Sequence, residues 1–139
     1  MLILRDAFDG CTRFDEFQRS LGIASNMLTR RLATLVDAGL LQRRQYQQRP
    51  PRYEYVLTPR GRDFRPVLLA LYAWGDQHLT GDGRNMVLID RSSGEEVEPI
   101  LVDRSTGRPL TEIDAAFTAG PDAGPRMRHR FDRKSAESR

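Results

Sequence analysis

Guanidinium, hydroxyl and amide side chains lie close together in two short segments of this sequence. The first segment is SNMLTRR, residues 25–31, and the second is RPPR, residues 49–52. These groups donate hydrogen bonds to phosphate oxygens and base edges, and arginine can bind phosphate or guanine through two parallel bonds. All but one of the 22 basic residues in the chain are arginine. The residue types therefore favour a nucleic-acid partner.

The side chains that commonly catalyse reactions are present but isolated. His78 and His129 stand apart from any catalytic partner, and Cys11 has no histidine near it. The sequence contains no glycine-rich phosphate loop and no paired-acid motif. A single cysteine also excludes an internal disulfide and a multi-cysteine zinc site. We therefore expect no enzymatic activity and no cofactor.

The length and hydropathy of the chain limit where it can act. With 139 residues it can form one domain of ordinary size with an appendage. No apolar run approaches the roughly 20 residues of a membrane span, and the apolar start of the chain is too short for a signal peptide. We expect a cytoplasmic protein with no membrane partner.

Two short helices joined by a glycine turn are predicted to position the first polar segment. Thr12 offers a hydroxyl N-cap with Asp15 three residues further on, and Gly22 supplies the turn. Ser25 offers a second N-cap, and Gly39 the left-handed C-cap of that helix. The apolar stripes of the two helices are Phe14, Phe17 and Leu21, and Leu28, Leu32, Leu35 and Val36. This pattern predicts a helix-turn-helix.

A hairpin is predicted to position the second segment. Residues 40–45 and 53–57 have the residue types of strands, and the tip between them, residues 46–52, is polar and stiffened by proline. The arginines of the tip would therefore project away from the body of the domain.

Apolar helices are predicted before the helix-turn-helix and after the hairpin. Residues 1–8 have the pattern of the end of a helix that stops at Gly10. Thr58 and Pro59 pair an N-cap with the residue best suited to the first helical position, and Pro66 should bend or break the first turns. The apolar positions of this helix, which runs towards His78, are Phe64, Val67, Leu68, Leu71 and Trp74.

Charge changes sign twice along the chain. Residues 1–80 carry 12 arginines and eight acidic residues, residues 81–120 carry four and eight, and residues 121–139 carry six basic and three acidic residues. The middle segment repeats an apolar strand with an Asp-Arg-Ser turn closed by glycine, at 87–94 and 100–107. The fold class predicted is α+β, mainly helical. It comprises a winged helix-turn-helix domain, a small β-ribbon and a disordered basic tail, in that order.

Base-contacting and phosphate-contacting roles follow from this arrangement. The helix from Ser25 should present its N-terminal half to the major groove of double-stranded DNA, while the hairpin tip enters a minor groove or clamps phosphates. Asn26 suits adenine or phosphate, and Arg30 suits guanine or the backbone. The alternatives are simple capping for Ser25 and a solvated helix face for the arginines. The candidate DNA-binding residues are Thr12, Arg13, Ser25, Asn26, Thr29, Arg30, Arg31, Arg43, Arg49 and Arg52.

Three ordered motifs resemble the HxlR-type regulators. They are L-x-x-L-x-x-x-G-L-L at residues 32–41, PPRYEY at 50–55 and LTPRG at 57–61, and the resemblance covers residues 2–79. It implies a winged-helix homodimer that represses or activates transcription, often in response to small electrophiles, aldehydes or other metabolites. On that pattern the helix from Ser25 is the recognition helix and the RPPR segment is the wing.

The sequence departs from that family in two places. Relatives carry roughly one more helix ahead of residue 1, with a Gly-Gly-[KR]-Trp segment leading into the helix that ends here at Phe8. In those relatives the N-terminal helix contributes to the dimer interface and, in redox-sensing members, holds the reactive cysteine. This sequence lacks that segment, so the chain is expected to be truncated, mis-started or dependent on the helix of residues 59–79 alone for pairing. Cys11 does not match the position of the reactive cysteine. Some longer relatives have cysteine-bearing turns where this chain has Asp90 and Asp103. Zinc held by such turns needs four N or S donors, and this segment has none. Two lone aspartates could bind a hard cation weakly, but capping of their turns is favoured, so we expect a metal-free ribbon.

A homodimer is also predicted from the long apolar helix, which offers more hydrophobic surface than a small body needs to bury. The dimer-interface candidates are Leu2, Phe64, Leu68, Leu71, Trp74 and His78. Phe64, Tyr72 and Trp74 are expected either to line a pocket for a small-molecule inducer or to pack in the core or interface. The competing interpretation of the chain is a winged-helix assembly module whose wing contacts another protein.

Overall fold

In the computed structural model, residues 1–79, 81, 83 and 86–137 are described, with side chains through Asp132, and the chain divides into two units between Pro99 and Ile100. The elements are α1 (Leu2–Phe8), α2 (Phe14–Leu21), α3 (Ser25–Asp37), β1 (Leu41–Gln47), β2 (Arg52–Leu57), α4 (Pro59–Arg62), α5 (Arg65–Leu79), a 3₁₀ turn (Leu110–Glu112) and α6 (Pro125–Glu137). Strands β1 and β2 form an antiparallel hairpin, the wing, directly after α2 and α3. The predicted α+β winged helix-turn-helix is confirmed.

The core of the first unit lies where α1, α2, α3 and the base of the wing meet. Its buried side chains are Ile3, Leu4, Phe17, Leu28, Leu32 and Leu41. Leu28 and Leu32 are one helical turn apart, so they fix which face of α3 points inward. Phe14 and Leu21, predicted to share the buried stripe of α2, lie half-buried beside this core. The opposite face of α3 is left open.

The start of α2 differs from the prediction by one residue. Its N-cap is Arg13, with extended backbone (φ −95°, ψ 149°), and not Thr12. Glu16 Oε2 accepts hydrogen bonds from the backbone N–H groups of Arg13 at 3.0 Å and Thr12 at 2.9 Å. A carboxylate at this position reaches back to the N-cap and replaces the hydroxyl cap that the sequence suggested. The same bonds, led by that from Arg13, lower the pKa of Glu16.

The start of α4 is locked to the turn that follows α3. Thr58 is the predicted N-cap: its Oγ1 accepts from Gly61 N at 3.0 Å and donates to Gly39 O at 2.6 Å. The C-cap of α3 is Ala38, one residue before the prediction, and Gly39 directly after it has the predicted left-handed backbone, with φ +71°. Gly61 is buried, and a Cβ there would overlap the carbonyl group of Leu40. Thr58 and Gly61 are therefore required by the close approach of two backbone segments.

The helix after the wing is broken where Pro66 predicts. α4 ends at Arg62, α5 begins at Arg65, and Pro66 is the second residue of α5. Proline has no N–H to donate, so it fits the first turn of a new helix and not the interior of a continuous one.

The acidic segment contains two copies of one hydrogen-bonded turn instead of a continuous β-ribbon. The equivalent bonds are Gly94 N to Asp90 O and Gly107 N to Asp103 O, and Val97 N to Leu88 O and Leu110 N to Leu101 O. Each copy contains one isolated β-bridge, Ile89 with Glu96 and Val102 with Pro109. Pairing does not extend further because Pro99, which lies between the two copies, has no N–H to donate to a longer ladder. The two copies fall on opposite sides of the division between the units.

The basic tail forms a helix, where the sequence predicted disorder. α6 begins at Pro125, which suits the first turn of a helix, and contains several arginines, which are good helix formers. Met127 and Phe131 form an apolar pair one turn apart. The prediction failed because it required a wider apolar stripe. Residues 138 and 139 of the predicted tail, and residue 80 at the predicted domain boundary, lie outside the described residues.

Candidate nucleic-acid interface

The outward face of α3 lies opposite the buried Leu28 and Leu32. Helical periodicity places Asn26 and Arg30 on that face, with Arg31 on its flank. All three residues are exposed. Within the described part of the chain, the ion pairs join other residues, so neither guanidinium is paired with a carboxylate. The helix therefore presents two unpaired cations beside an amide.

Ser25 is the first residue of α3 and is held by the preceding helix. The N-cap of α3 is Ala24, with extended backbone and no side-chain cap, so the predicted capping role of Ser25 is wrong. Gln18 Nε2 on α2 instead donates to Ser25 Oγ at 2.7 Å. Nothing in the sequence singled out Gln18, because its role depends on how α2 and α3 pack. The bond leaves the hydroxyl proton of Ser25 available to a partner.

The polar side chains next to Ser25 already make local bonds. Asn26 Oδ1 accepts from Met27 N at 2.8 Å, so in this conformation the amide offers only its NH₂ group. That leaves phosphate or a base-edge acceptor as its simplest partner, whereas adenine requires the oxygen to be released. Thr29 Oγ1 donates to Ser25 O at 2.9 Å, which reduces Thr29 to an acceptor.

The arginines of the wing fall into three groups. Arg44 is paired with Glu54 across the two strands at 2.6 Å, and this hydrogen bond lowers the pKa of Glu54. The Arg43 guanidinium lies over the Tyr53 ring, 3.7 Å from its centroid. The exposed arginines beside the two prolines of the tip, with no carboxylate partner among the described residues, are Arg49 and Arg52. The tip therefore carries two unpaired cations, as the outward face of α3 does.

Two contacts join the wing to the start of α2. Tyr55 N donates to Thr12 O at 2.6 Å, which adds the segment before α2 to the free edge of β2. The Arg13 guanidinium lies 4.8 Å from the centroid of the Tyr46 ring. Of the two candidate contact residues in this segment, Thr12 thus has a structural bond, and Arg13 is exposed next to the wing.

The candidate dimer-interface residues divide between the core and the surface. Phe64 and Leu68 pack against the core of the first unit. Leu2, Leu71 and Trp74 are exposed, Trp74 by 56%, and the Trp74 ring lies 5.4 Å from that of His78. The sequence-based list missed three exposed apolar residues near them, Met1, Val67 and Leu79. No residue of α5 is buried.

The three aromatic residues of the predicted inducer pocket have different surroundings. Phe64 packs on the core, while Trp74 is exposed on α5. Tyr72 is half-buried and its hydroxyl donates to Met86 O at 3.0 Å, which holds the segment after α5. The pocket stays a prediction.

The single cysteine is half-buried between α1 and α2. Burial raises the pKa of the Cys11 thiol, and the negative charges of Asp6 and Glu16 raise it further. A raised pKa reduces the fraction of reactive thiolate at neutral pH.

The two aspartates at the positions of the cysteine-bearing turns are occupied by local hydrogen bonds. Asp90 Oδ1 accepts from Ser92 Oγ at 2.6 Å. Asp103 Oδ2 accepts from Thr106 Oγ1 at 2.6 Å and Ser105 Oγ at 2.7 Å, and these bonds lower the pKa of Asp103 to about 2. Among the residues that the structure describes, no three histidine, cysteine or acidic side chains are grouped as metal ligands would be.

None of the described helices combines the length and apolar character that crossing a membrane requires.

Comparisons with known proteins identify relatives of the whole winged-helix unit. A family model described as HxlR-like helix-turn-helix matches residues 1–82. An uncharacterized HTH-type transcriptional regulator of Mycobacterium tuberculosis is 38% identical over 126 residues, which are 90% of this chain and 77% of that relative. That match extends past the winged helix into the acidic segment.

Two solved structures are also similar. A candidate transcription factor from Pseudomonas aeruginosa is 50% identical, with a TM-score of 0.72, and the match covers 93% of this chain and 88% of that chain. The redox regulator HypR in its reduced form is 38% identical, with a TM-score of 0.50, over 54% of this chain and 75% of that chain. The first match includes most of the chain beyond the wing, whereas the second covers little more than half.

Proposed function

This chain belongs to the HxlR-like helix-turn-helix family of transcriptional regulators, and from that premise we propose that it represses transcription by binding duplex DNA as a homodimer. The outward face of α3 enters the major groove, and the wing lies against the minor groove and the phosphates. A cytoplasmic location is part of the same proposal.

One observation carries the DNA-binding mode: each of the two elements that a winged helix places against a duplex has unpaired guanidinium groups. Arg30 and Arg31 supply them on α3, and Arg49 and Arg52 on the wing tip. Arg44, by contrast, is neutralised by Glu54. Cations that are free of internal partners are the ones that can displace counterions from DNA.

The proposed dimer interface is the exposed apolar face of α5 together with the start of α1. Val67, Leu71 and Trp74 follow one another at intervals of one helical turn, and each is more than two-fifths exposed. Leu2 is also exposed, by 55%. A two-fold pairing of this face would bury it and set two α3 helices on half-sites about one turn of DNA apart.

Repression is proposed because it needs DNA occupancy alone, whereas activation needs a further surface for the polymerase. A small-molecule inducer would act through the α5 pairing, where the Trp74 and His78 rings lie side by side. Such a ligand would change the spacing of the two α3 helices.

The test is to select bound duplexes from a fragmented genomic pool and then measure affinity over a salt series. We expect enrichment of one sequence class and a steep fall in affinity with salt, roughly in proportion to the phosphates neutralised. As a control, the double variant Arg91→Ala/Arg104→Ala removes two exposed arginines that are far from the interface in sequence. It should select the same sequence class with the same salt dependence. Binding that is absent or independent of salt would contradict the proposal and favour the assembly module.

A further inference from the structure

We infer that α6 is a second nucleic-acid-binding element, which contacts the phosphate backbone of the DNA that the winged helix binds. The inference rests on the proposed function and extends it beyond the winged helix. It depends on three features of α6: its positive charge, two arginines without a carboxylate partner among the described residues, and the absence of a wide apolar face from its described part.

The first turns of α6 carry a concentration of positive charge without a compensating acid. Arg126, Arg128 and Arg130 alternate with Met127 and His129. The first turn of α6 contains no acidic residue. The side chains from Arg126 to Arg130 are all exposed.

One of these arginines has a structural task and two do not. Arg128 Nε donates to Ala123 O at 2.8 Å and its Nη2 to Pro121 O at 3.3 Å, so its guanidinium holds the turn before the helix. Arg126 and Arg130 have no carboxylate partner within the described residues. They are one helical turn apart, which places both on one face of α6.

The spacing of those two arginines suits a phosphate backbone. Side chains at i and i+4 lie about 6 Å apart along a helix, close to the separation of neighbouring phosphates on one strand. Phosphate contacts of this kind carry no sequence information, so α6 would add affinity and not preference.

A membrane surface is the less favoured partner. An interfacial membrane helix needs a broad apolar face opposite its charges. In the described part of α6 the large apolar side chains are Met127 and Phe131 only, and Phe131 is half-buried beside the Arg130 guanidinium, 5.9 Å away. That leaves too little apolar surface for insertion.

The double variant Arg126→Ala/Arg130→Ala tests the inference in the full chain. The probes are a duplex selected by the full chain and an unrelated duplex, each of about 40 base pairs, roughly four helical turns. Each lost phosphate contact reduces the salt slope of log affinity by about 0.9, so the slope should become shallower by roughly 2 per chain on both duplexes. Helix content, measured by circular dichroism, should be retained.

The matched control is Arg91→Ala/Arg104→Ala, which removes the same charge from exposed positions in the two acidic turns. It should leave the salt slope within experimental error of the original chain. An equal decrease in both variants would show a net-charge effect and overturn the inference.

The remaining outcomes separate this inference from the proposed function. If the chain selects no sequence but the α6 variant still weakens binding to the unrelated duplex, the inference stands and sequence-specific regulation fails. If selection succeeds and the α6 variant has the same salt slope as the original chain, the inference alone fails. If the α6 variant loses binding to phosphatidylserine vesicles while its salt slope on DNA is unchanged, the inference is overturned in favour of a membrane surface.

Discussion

The side-chain amide of Gln18 donates a 2.7 Å hydrogen bond to Ser25 Oγ and so ties the last turns of α2 to the first residue of α3. Ser25 Oγ acts as the acceptor, so its own proton can be donated to a phosphate at the start of α3. The orientation of that hydroxyl therefore depends on a residue from the other helix of the helix-turn-helix.

Replacing Gln18 with alanine should lower affinity for selected and unrelated duplexes by about five-fold, which corresponds to roughly 1 kcal/mol for one oriented hydrogen bond. Unfolding free energy should change by less than about 0.5 kcal/mol, because the pair is exposed. Titration of labelled duplex measures the first quantity and thermal unfolding the second. Gln77→Ala, an exposed glutamine of α5, is the matched control.

A double-mutant cycle makes the Gln18 prediction stringent. If Gln18 acts through Ser25, then Gln18→Ala should have little further effect in a Ser25→Ala background. Losses that simply add would show that Gln18 contacts DNA on its own.

Asn26 and Arg52 should respond differently to substitution. Asn26 lies on the outward face of α3, so Asn26→Ala should change which bases are preferred. Arg52 lies beside the wing tip, so Arg52→Ala should weaken all duplexes alike and reduce the salt slope by about 0.9 per chain. Repeating the selection with each variant measures both effects. An unchanged preference for Asn26→Ala would leave its base-reading role without support.

Gly61→Ala should destabilise the fold by about 2 kcal/mol, because its Cβ would overlap the Leu40 carbonyl and neither backbone can move freely. Gly75→Ala is the matched control, for which the change in unfolding free energy should have the opposite sign. A Cβ at Gly75 meets only Leu79 Cδ1, at 4.0 Å, so alanine should stabilise α5 by roughly 0.5–1 kcal/mol. Denaturant unfolding of both variants measures the difference, and equal effects would contradict the packing account.

Residues at turns and helix starts could be predicted from the sequence, because their backbone conformation depends on their own chemistry or on steric fit with near neighbours. Thr58, Pro59 and Gly39 each have the backbone position that the sequence indicated. The cap predicted at Thr12 is replaced by Glu16, which reaches back to the start of α2. Ser25 lies one position inside α3, after the N-cap Ala24, and its hydroxyl instead accepts a hydrogen bond from Gln18 of α2. A hydroxyl residue near a helix start is not sufficient to locate its N-cap.

The sequence predicted which residue types make up the candidate site. The structure shows which of those side chains are stacked or ion-paired and which are unpaired. Arg43, Arg44 and Arg49 look alike in sequence, yet one stacks on tyrosine, one is ion-paired and one is unpaired. These differences depend on the pairing of β1 with β2, which sets the cross-strand neighbours. The tail was misjudged for another reason, since the helix propensity of its arginines outweighed its narrow apolar stripe.

The Asp103 turn should titrate at unusually low pH. Hydrogen bonds from the Thr106 and Ser105 hydroxyls lower the pKa of Asp103 from 3.8 to about 2. Because the folded-state pKa is the lower one, the stabilisation is present above about pH 4 and is lost as the pH falls through about 2. The amide signals of Ser105 and Thr106, followed by NMR, should report this midpoint. Thr106→Val should raise it towards 3.8, and a midpoint already near that value would contradict the bonding scheme.

Trp74→Asp should convert the proposed dimer to a monomer at micromolar concentration. Trp74 is the largest exposed side chain on the apolar face of α5, and a carboxylate there would be desolvated on pairing. Sedimentation velocity measures the oligomeric state, and Phe117→Asp is the matched control because Phe117 is 93% exposed in the second unit. A monomeric original chain would sink the pairing proposal outright, whereas a dimer that survives Trp74→Asp would move the interface away from α5. The monomer should also bind a single half-site more weakly than the dimer binds two, since linked half-sites raise the effective concentration of the second α3.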